Sequence, residues 1–143
     1  MRGSFMTVVA AGATLLAGTA FAQDNTGRKF TTQLEGEQIT RPADPDGTGT
    51  ASIRVNAGKG EVCYTLTVRD IGPATAAHIH EGAPGTDGPV VVEFTPPTSG
   101  SSSGCVQVGR ELAREIIVEP SDYYVVVHND EFPAGALRGQ MAR

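Results

Sequence analysis

At 143 residues with a formal net charge of −5, the chain is sized for one ordinary domain, and it carries no Lys/Arg cluster of the kind that neutralising phosphates demands, so a nucleic-acid partner is disfavoured. Mild acidity attracts cations weakly and also keeps an exported protein in solution. The 18 glycines and 9 prolines fall at short intervals along the chain instead of forming one low-complexity block, which is the spacing of many short strands.

The amino terminus reads as an address. Met1-Arg2 gives a short positive start, Phe5 to Leu16 an apolar run, and Ala20-Phe21-Ala22 a small-residue cleavage signal, so residues 1–22 are expected to be a signal peptide and 23–143 a single domain. The run is too short for a bilayer, which needs roughly 20 apolar residues, and no later segment approaches that length. A membrane span is therefore not expected; uncleaved, the run would act as a tether. The expected location is the periplasm or the extracellular space. Cys63 and Cys105 are the two cysteines; export to an oxidising compartment predicts that they pair as a disulfide, and a loop of this size should stabilise the fold by about 4 kcal/mol. The alternative, a pair of thiolate ligands for a soft metal, fits export less well.

In chain order, Phe30, Thr32 and Leu34 alternate with Thr31 and Gln33 as a first strand. Residues 41–47, Arg-Pro-Ala-Asp-Pro-Asp-Gly, read as a loop, because prolines and Asp-Gly reject both ladder and helix. Ala51, Ile53 and Val55 face one way in a second strand, and residues 56–60 form a hairpin turn. From Glu61 to Arg69 the period of two is clear, with Val62, Tyr64, Leu66 and Val68 on one face. A short strand over 76–80, a turn-rich segment over 82–89 and a strand over 90–94 follow. The Pro/Ser/Gly segment 95–104 reads as a flexible loop before extended structure resumes at 105–108. Residues 110–118 have helical character, with Leu112, Ile116 and Ala113 to one side. Residues 121–128 form a β-prone run with Tyr123, Val125 and Val127 on one face and Tyr124, Val126 and His128 on the other, and 136–141 form a last strand. The class is all-β with at most one short helix, an antiparallel sandwich or flattened barrel.

All three histidines lie in two places, His78-Ile79-His80 and His128. Residues two apart on a strand share a face, so His78 and His80 present both imidazoles in one direction, roughly 7 Å apart along the backbone. That spacing suits one metal ion, with His128 as the third ligand. Three neutral imidazoles with an open position describe copper or, less readily, a catalytic zinc. The competing reading is a hydrogen-bonded histidine cluster without a metal. Asp70, Glu81, Asp130 and Glu131 are near the histidines in sequence and are candidate acceptors for ring N–H groups, although such residues are more often simply solvated. Loop carboxylates Asp44, Asp46 and Asp87 invite calcium, but no EF-hand spacing is present and Asp-Gly is foremost turn chemistry. No Gly-x-Ser-x-Gly elbow supports a serine hydrolase.

Four segments in order, residues 77–85 (AHIHEGAPG), 88–92 (GPVVV), 124–128 (YVVVH) and 132–140 (FPAGALRGQ), resemble the pattern of the CHRD domain, first described in chordin, over about residues 30–141. The resemblance implies an exported module of this family, which has no agreed activity. The acidic residue usual before the Leu-Arg-Gly-Gln run is Ala136 here, so no carboxylate role is carried to that position. More faintly, His78-Ile79-His80-Glu81 and Val126-Val127-His128 are similar to the copper-ligand strands of copper/zinc superoxide dismutases. Both likenesses imply an antiparallel Greek-key β-sandwich, immunoglobulin-like or superoxide-dismutase-like. The second maps His78, His80 and His128 to copper positions, while ligand count excludes a two-metal enzyme. A copper-only dismutase would need a cation to draw in its anionic substrate, and Arg138 is the candidate; its other reading is an arginine that fixes the terminal strand. The expectation is thus an exported domain holding one copper for copper handling. A metal-free binding or structural module and a copper-only redox enzyme are the alternatives, and no protein partner is specified.

Overall fold

The computed structural model describes residues 26–143, so the expected signal peptide lies outside the described residues. Eight strands follow in chain order: β1 (Arg28–Glu35), β2 (Thr48–Asn56), β3 (Glu61–Arg69), β4 (Ala74–Glu81), β5 (Val90–Phe94), β6 (Ser101–Gln107), β7 (Tyr123–Asn129) and β8 (Leu137–Gln140). Among the described residues a single α-helix, α1 (Arg110–Val118), sits between β6 and β7, and two 3₁₀ turns cover Gly36–Gln38 and Pro120–Asp122. The all-β class with one short helix is what the alternation along the strands dictates. Among the described residues no helix is long and apolar enough to cross a membrane.

Every strand pair is antiparallel, in the order β5-β4-β7-β8-β1-β2-β3-β6. One pairing, Glu35 opposite Arg138, joins β1 to β8, whereas β1 and β2 pair along their full length. The sheet thus bends sharply into two four-stranded halves. At the opposite seam Tyr64 of β3 stacks on Phe94 of β5 with centroids 4.1 Å apart, the Tyr64 hydroxyl accepts from the Thr95 amide at 3.0 Å, and Ser102 Oγ donates to the Thr95 carbonyl at 2.7 Å. Around this nearly closed circuit the hairpin β4–β5 is flanked by β6 and β7, with long connections returning the chain, which is Greek-key order.

Inward residues of both halves form one apolar core: Phe30, Leu34, Ile53, Val55, Val62, Leu66, Ile79, Val125, Val127 and Leu137 are all buried. Ala113 and Ile116 of α1 close one end. Removing such surface from water is the main stabilising term, at about 25 cal/mol per Å² of apolar area.

One correction concerns residues 101–104. They form the first half of β6, paired with β3 from Thr67↔Ser101 to Tyr64↔Gly104, and are not a loop. The run lacks apolar residues because it edges the sheet, where backbone pairing suffices, and because Gly104 leaves room for the Tyr64 ring: a Cβ there would lie 3.0 Å from the Tyr64 hydroxyl oxygen. Loop 41–47 is held by Asp44, whose Oδ1 accepts from the amides of Asp46 (3.0 Å) and Gly47 (2.7 Å), and Asp87 accepts from Thr40 Oγ1 at 2.8 Å. These loop carboxylates thus serve turns, as Asp-Gly chemistry implies.

Cys63 and Cys105 are directly opposite one another on β3 and β6 and are joined by a disulfide, with Cα atoms 3.9 Å apart. Their sulfurs are spent on each other, so the thiolate-ligand alternative is withdrawn. The bond staples edge strand β6 across a separation of 42 residues. Replacing both cysteines with serine is expected to lower the unfolding free energy by about 4 kcal/mol in urea titrations; an unchanged midpoint would show that the β3–β6 ladder holds without the staple.

Candidate metal centre

The histidines lie on the outer face of the β4–β7–β8 half. In β4, Ala77 and Ile79 point into the core, which turns His78 and His80 outward. In β7, Val125 and Val127 are the inward residues, which leaves Tyr124, Val126 and His128 on the outer face. The register then sets Ala76 opposite His128, His78 opposite Val126 and His80 opposite Tyr124. A one-residue slip of β7 would send His128 into the core and remove it from the group.

The three rings meet: each offers one nitrogen, and these nitrogens all lie within 4.8 Å of one another. His78 Nδ1 and His128 Nε2 are 3.2 Å apart. Two imidazole nitrogens bound to one ion at about 2.0 Å each would stand roughly 3.3 Å apart in tetrahedral geometry. The ring centroids are separated by 5.1 Å (His78–His128), 5.7 Å (His78–His80) and 6.3 Å (His80–His128).

Backbone carbonyls fix two of the tautomers. His80 Nδ1–H donates to the Gly88 carbonyl at 2.8 Å and His128 Nδ1–H to the Pro133 carbonyl at 3.0 Å. Each ring therefore keeps its lone pair on Nε2. His80 Nε2 is buried and has no hydrogen-bond partner among the described residues. A buried nitrogen left so is a costly arrangement that calls for a physical reason.

Both His78 and His128 are held below the ordinary imidazole value of about 6.5, chiefly because burial penalises the charged form. The other histidines add to the depression at His78 and Glu93 opposes it; at His128 the Pro133 carbonyl opposes it and His80 adds to it. The rings are therefore neutral at pH 7, the state that coordinates metal.

The candidate acceptors read from sequence lie elsewhere. Glu81, at the end of β4, lines a groove of about 770 Å³ against α1, on the side away from the rings. Asp70, Asp130 and Glu131 are exposed, and the ring N–H groups go to the carbonyls of Gly88 and Pro133 instead. Arg138 is buried, at 2% exposure, and donates to the carbonyls of Thr86 (2.7 Å) and Ala83 (3.2 Å) and to Gln140 Oε1 (3.1 Å). It fixes the turn and the terminal strand. A cleft of about 180 Å³ opens beside His80 and His128, lined by apolar Ile39, Val126 and Ala134 and by charged Arg41, Asp87 and Arg138. The larger groove against α1 carries no histidine.

Sequence reasoning missed the two carbonyl acceptors, which carry no side-chain signal, and Glu93, which β-pairing sets opposite His78. It also missed the role of Gly88. A Cβ there would collide with the Glu81 carbonyl oxygen, while the Gly88 amide donates to the Tyr124 hydroxyl at 2.8 Å. Only glycine fits where the turn folds back onto β4 and offers its carbonyl to His80.

A pH dependence follows. Because folded-state values for His78 and His128 are lowered, the unfolded chain takes up protons near pH 6.5 that the folded chain resists, so metal-free stability falls as pH drops below about 6.5. The urea midpoint is expected to decline between pH 7 and pH 5, and more shallowly in a His78→Gln, His128→Gln double variant; parallel profiles would contradict burial of neutral rings.

A family model described as CHRD domain matches residues 30–141. No curated protein and no solved structure matches the chain, so the likeness of the histidine strands to copper/zinc superoxide dismutases rests on the short motifs alone.

Proposed function

The chain belongs to the CHRD domain family, and from that premise we propose that it is an exported module which binds one copper ion through His78, His80 and His128 and serves copper handling in the periplasm or outside the cell. The carrying observation is His80 Nε2: buried, bearing a lone pair, without a partner among the described residues, and beside two further imidazoles. A bound cation would satisfy it. Copper is preferred to zinc because an all-imidazole ligand set favours Cu(II) in the divalent affinity order and also suits Cu(I); the nearby carboxylates, Glu93 opposite His78 and Asp87 on the cleft wall, are not among the three converging groups. The disulfide supports an oxidising compartment.

A second reading has its own support. His78 Nδ1 and His128 Nε2, at 3.2 Å, can share one proton as a hydrogen bond, as they would in a metal-free binding or structural module. The dismutase-like reading gains nothing from Arg138, whose guanidinium is committed to the turn carbonyls and is not a free cation at the cleft mouth.

The experiment is addition of Cu(II), and of Cu(I) under reducing conditions, to the purified domain. One copper per chain is expected by native mass spectrometry. At a hundredfold excess over the dissociation constant, stability should rise by about 2.7 kcal/mol, which corresponds to roughly 10 °C in Tm for a domain of this size. His80→Ala should abolish both changes. No change in mass, absorbance or Tm on adding copper would leave the metal-free module standing.

A further inference from the structure

The half-buried His80 is held by several neighbours. Its ring lies against Tyr124, its direct cross-strand partner, with centroids 5.0 Å apart and planes 13° from parallel. On Tyr124 lies the Arg138 guanidinium, 3.5 Å from the ring centroid. Arg138 grips the Thr86 and Ala83 carbonyls of the turn that follows β4. That turn returns to the stack twice through Gly88, whose amide donates to Tyr124 Oη and whose carbonyl accepts from His80 Nδ1. Gln140 completes the set, its side chain donating to the Gly82 carbonyl at 2.8 Å and its Oε1 accepting from Arg138.

We infer that Tyr124 and Arg138 are positioning residues which fix the ring plane and the Nδ1–H tautomer of His80, so that Nε2 is presented to the centre of the triad before any metal arrives. A face-on ring cannot turn over without lifting Tyr124, and Tyr124 cannot lift without displacing a buried guanidinium that has three acceptors to lose. No aromatic stack or backbone carbonyl of this kind holds His78 among the described residues: its Nδ1 meets the Nε2 of His128 at 3.2 Å, whose lone pair favours the Nδ1–H form of His78 in the metal-free protein. The triad thus has two rings set by backbone carbonyls, one of them locked by a stack, and a third set by a neighbouring ring. In its consequence for metal affinity this inference rests on the copper reading; in its geometry it does not.

The test begins with metal-free protein at pH 8, where nitrogen-15 NMR reports the tautomer of each imidazole. Wild-type His80 is expected as a single Nδ1–H form. Tyr124→Phe keeps the stack and should keep that tautomer, whereas Tyr124→Leu and Arg138→Met should populate both forms at His80 and leave His128 on Nδ1–H. Tyr124 and Arg138 lie on the outer face, so the inner core stays filled in these variants; where Arg138→Met fails to fold, Arg138→Lys retains the charge without the planar fork and should also mix the tautomers. Cu(II) affinity, measured by competition, should fall 10- to 100-fold in Tyr124→Leu and stay near wild type in Tyr124→Phe. A tautomer mixture at His80 in the wild type, or a single Nδ1–H form persisting in folded Tyr124→Leu, would overturn the inference, because the stack would then be holding the turn alone. A locked tautomer in a protein that binds no copper would support the positioning role while removing the copper reading.

Discussion

The antiparallel ladder between β4 and β7 is the constraint on which the site depends. Its register sets His80 against Tyr124 and His128 against Ala76, and the alternation of both strands is fixed by Ala77, Ile79, Val125 and Val127 filling the interior. The energy that places the histidines is thus hydrophobic burial on the opposite face of the same strands. Imidazoles far apart in the chain converge as a by-product of how the core packs. Any substitution that shifted one of these strands would damage the site before it damaged the fold class.

The turn after β4 adds precision to this arrangement. Strand pairing sets Cβ positions but leaves rings free to rotate and exchange tautomers. Rotation is stopped by hydrogen bonds to Gly88 and Pro133 and by the stack on Tyr124. Arg138 links these parts, since one buried guanidinium holds the turn, the terminal strand and the aromatic ring at once. The cation that a dismutase would use to draw in its substrate is instead part of the framework around the rings.

Much of this was legible in the amino-acid order. The period of two in residues 61–69 and the Gly/Pro punctuation disclosed the β class, and the bounds of α1 followed from its apolar spacing. Parity alone put His78 and His80 on one face and Tyr124 with His128 on another. What parity could not reveal is which strands are neighbours, because the Greek-key order brings β4 beside β7 across a helix and two intervening strands. The Ser/Gly run of β6 was read as loop because edge pairing leaves no apolar signature. Carbonyl acceptors are equally silent, as every residue carries one. Sequence therefore pointed to acidic side chains near the histidines, whereas the folded chain uses the backbone of two turns.

Three imidazoles sharing one point are the core of the proposed site. X-ray absorption on protein loaded with a single equivalent of copper tests this most directly, since multiple scattering from the rings counts imidazoles. Three nitrogens at about 2.0 Å, falling to two in His128→Ala with the disulfide intact, is the predicted result. A shell of oxygen or sulfur donors, or an unchanged count after loss of His128, would contradict it.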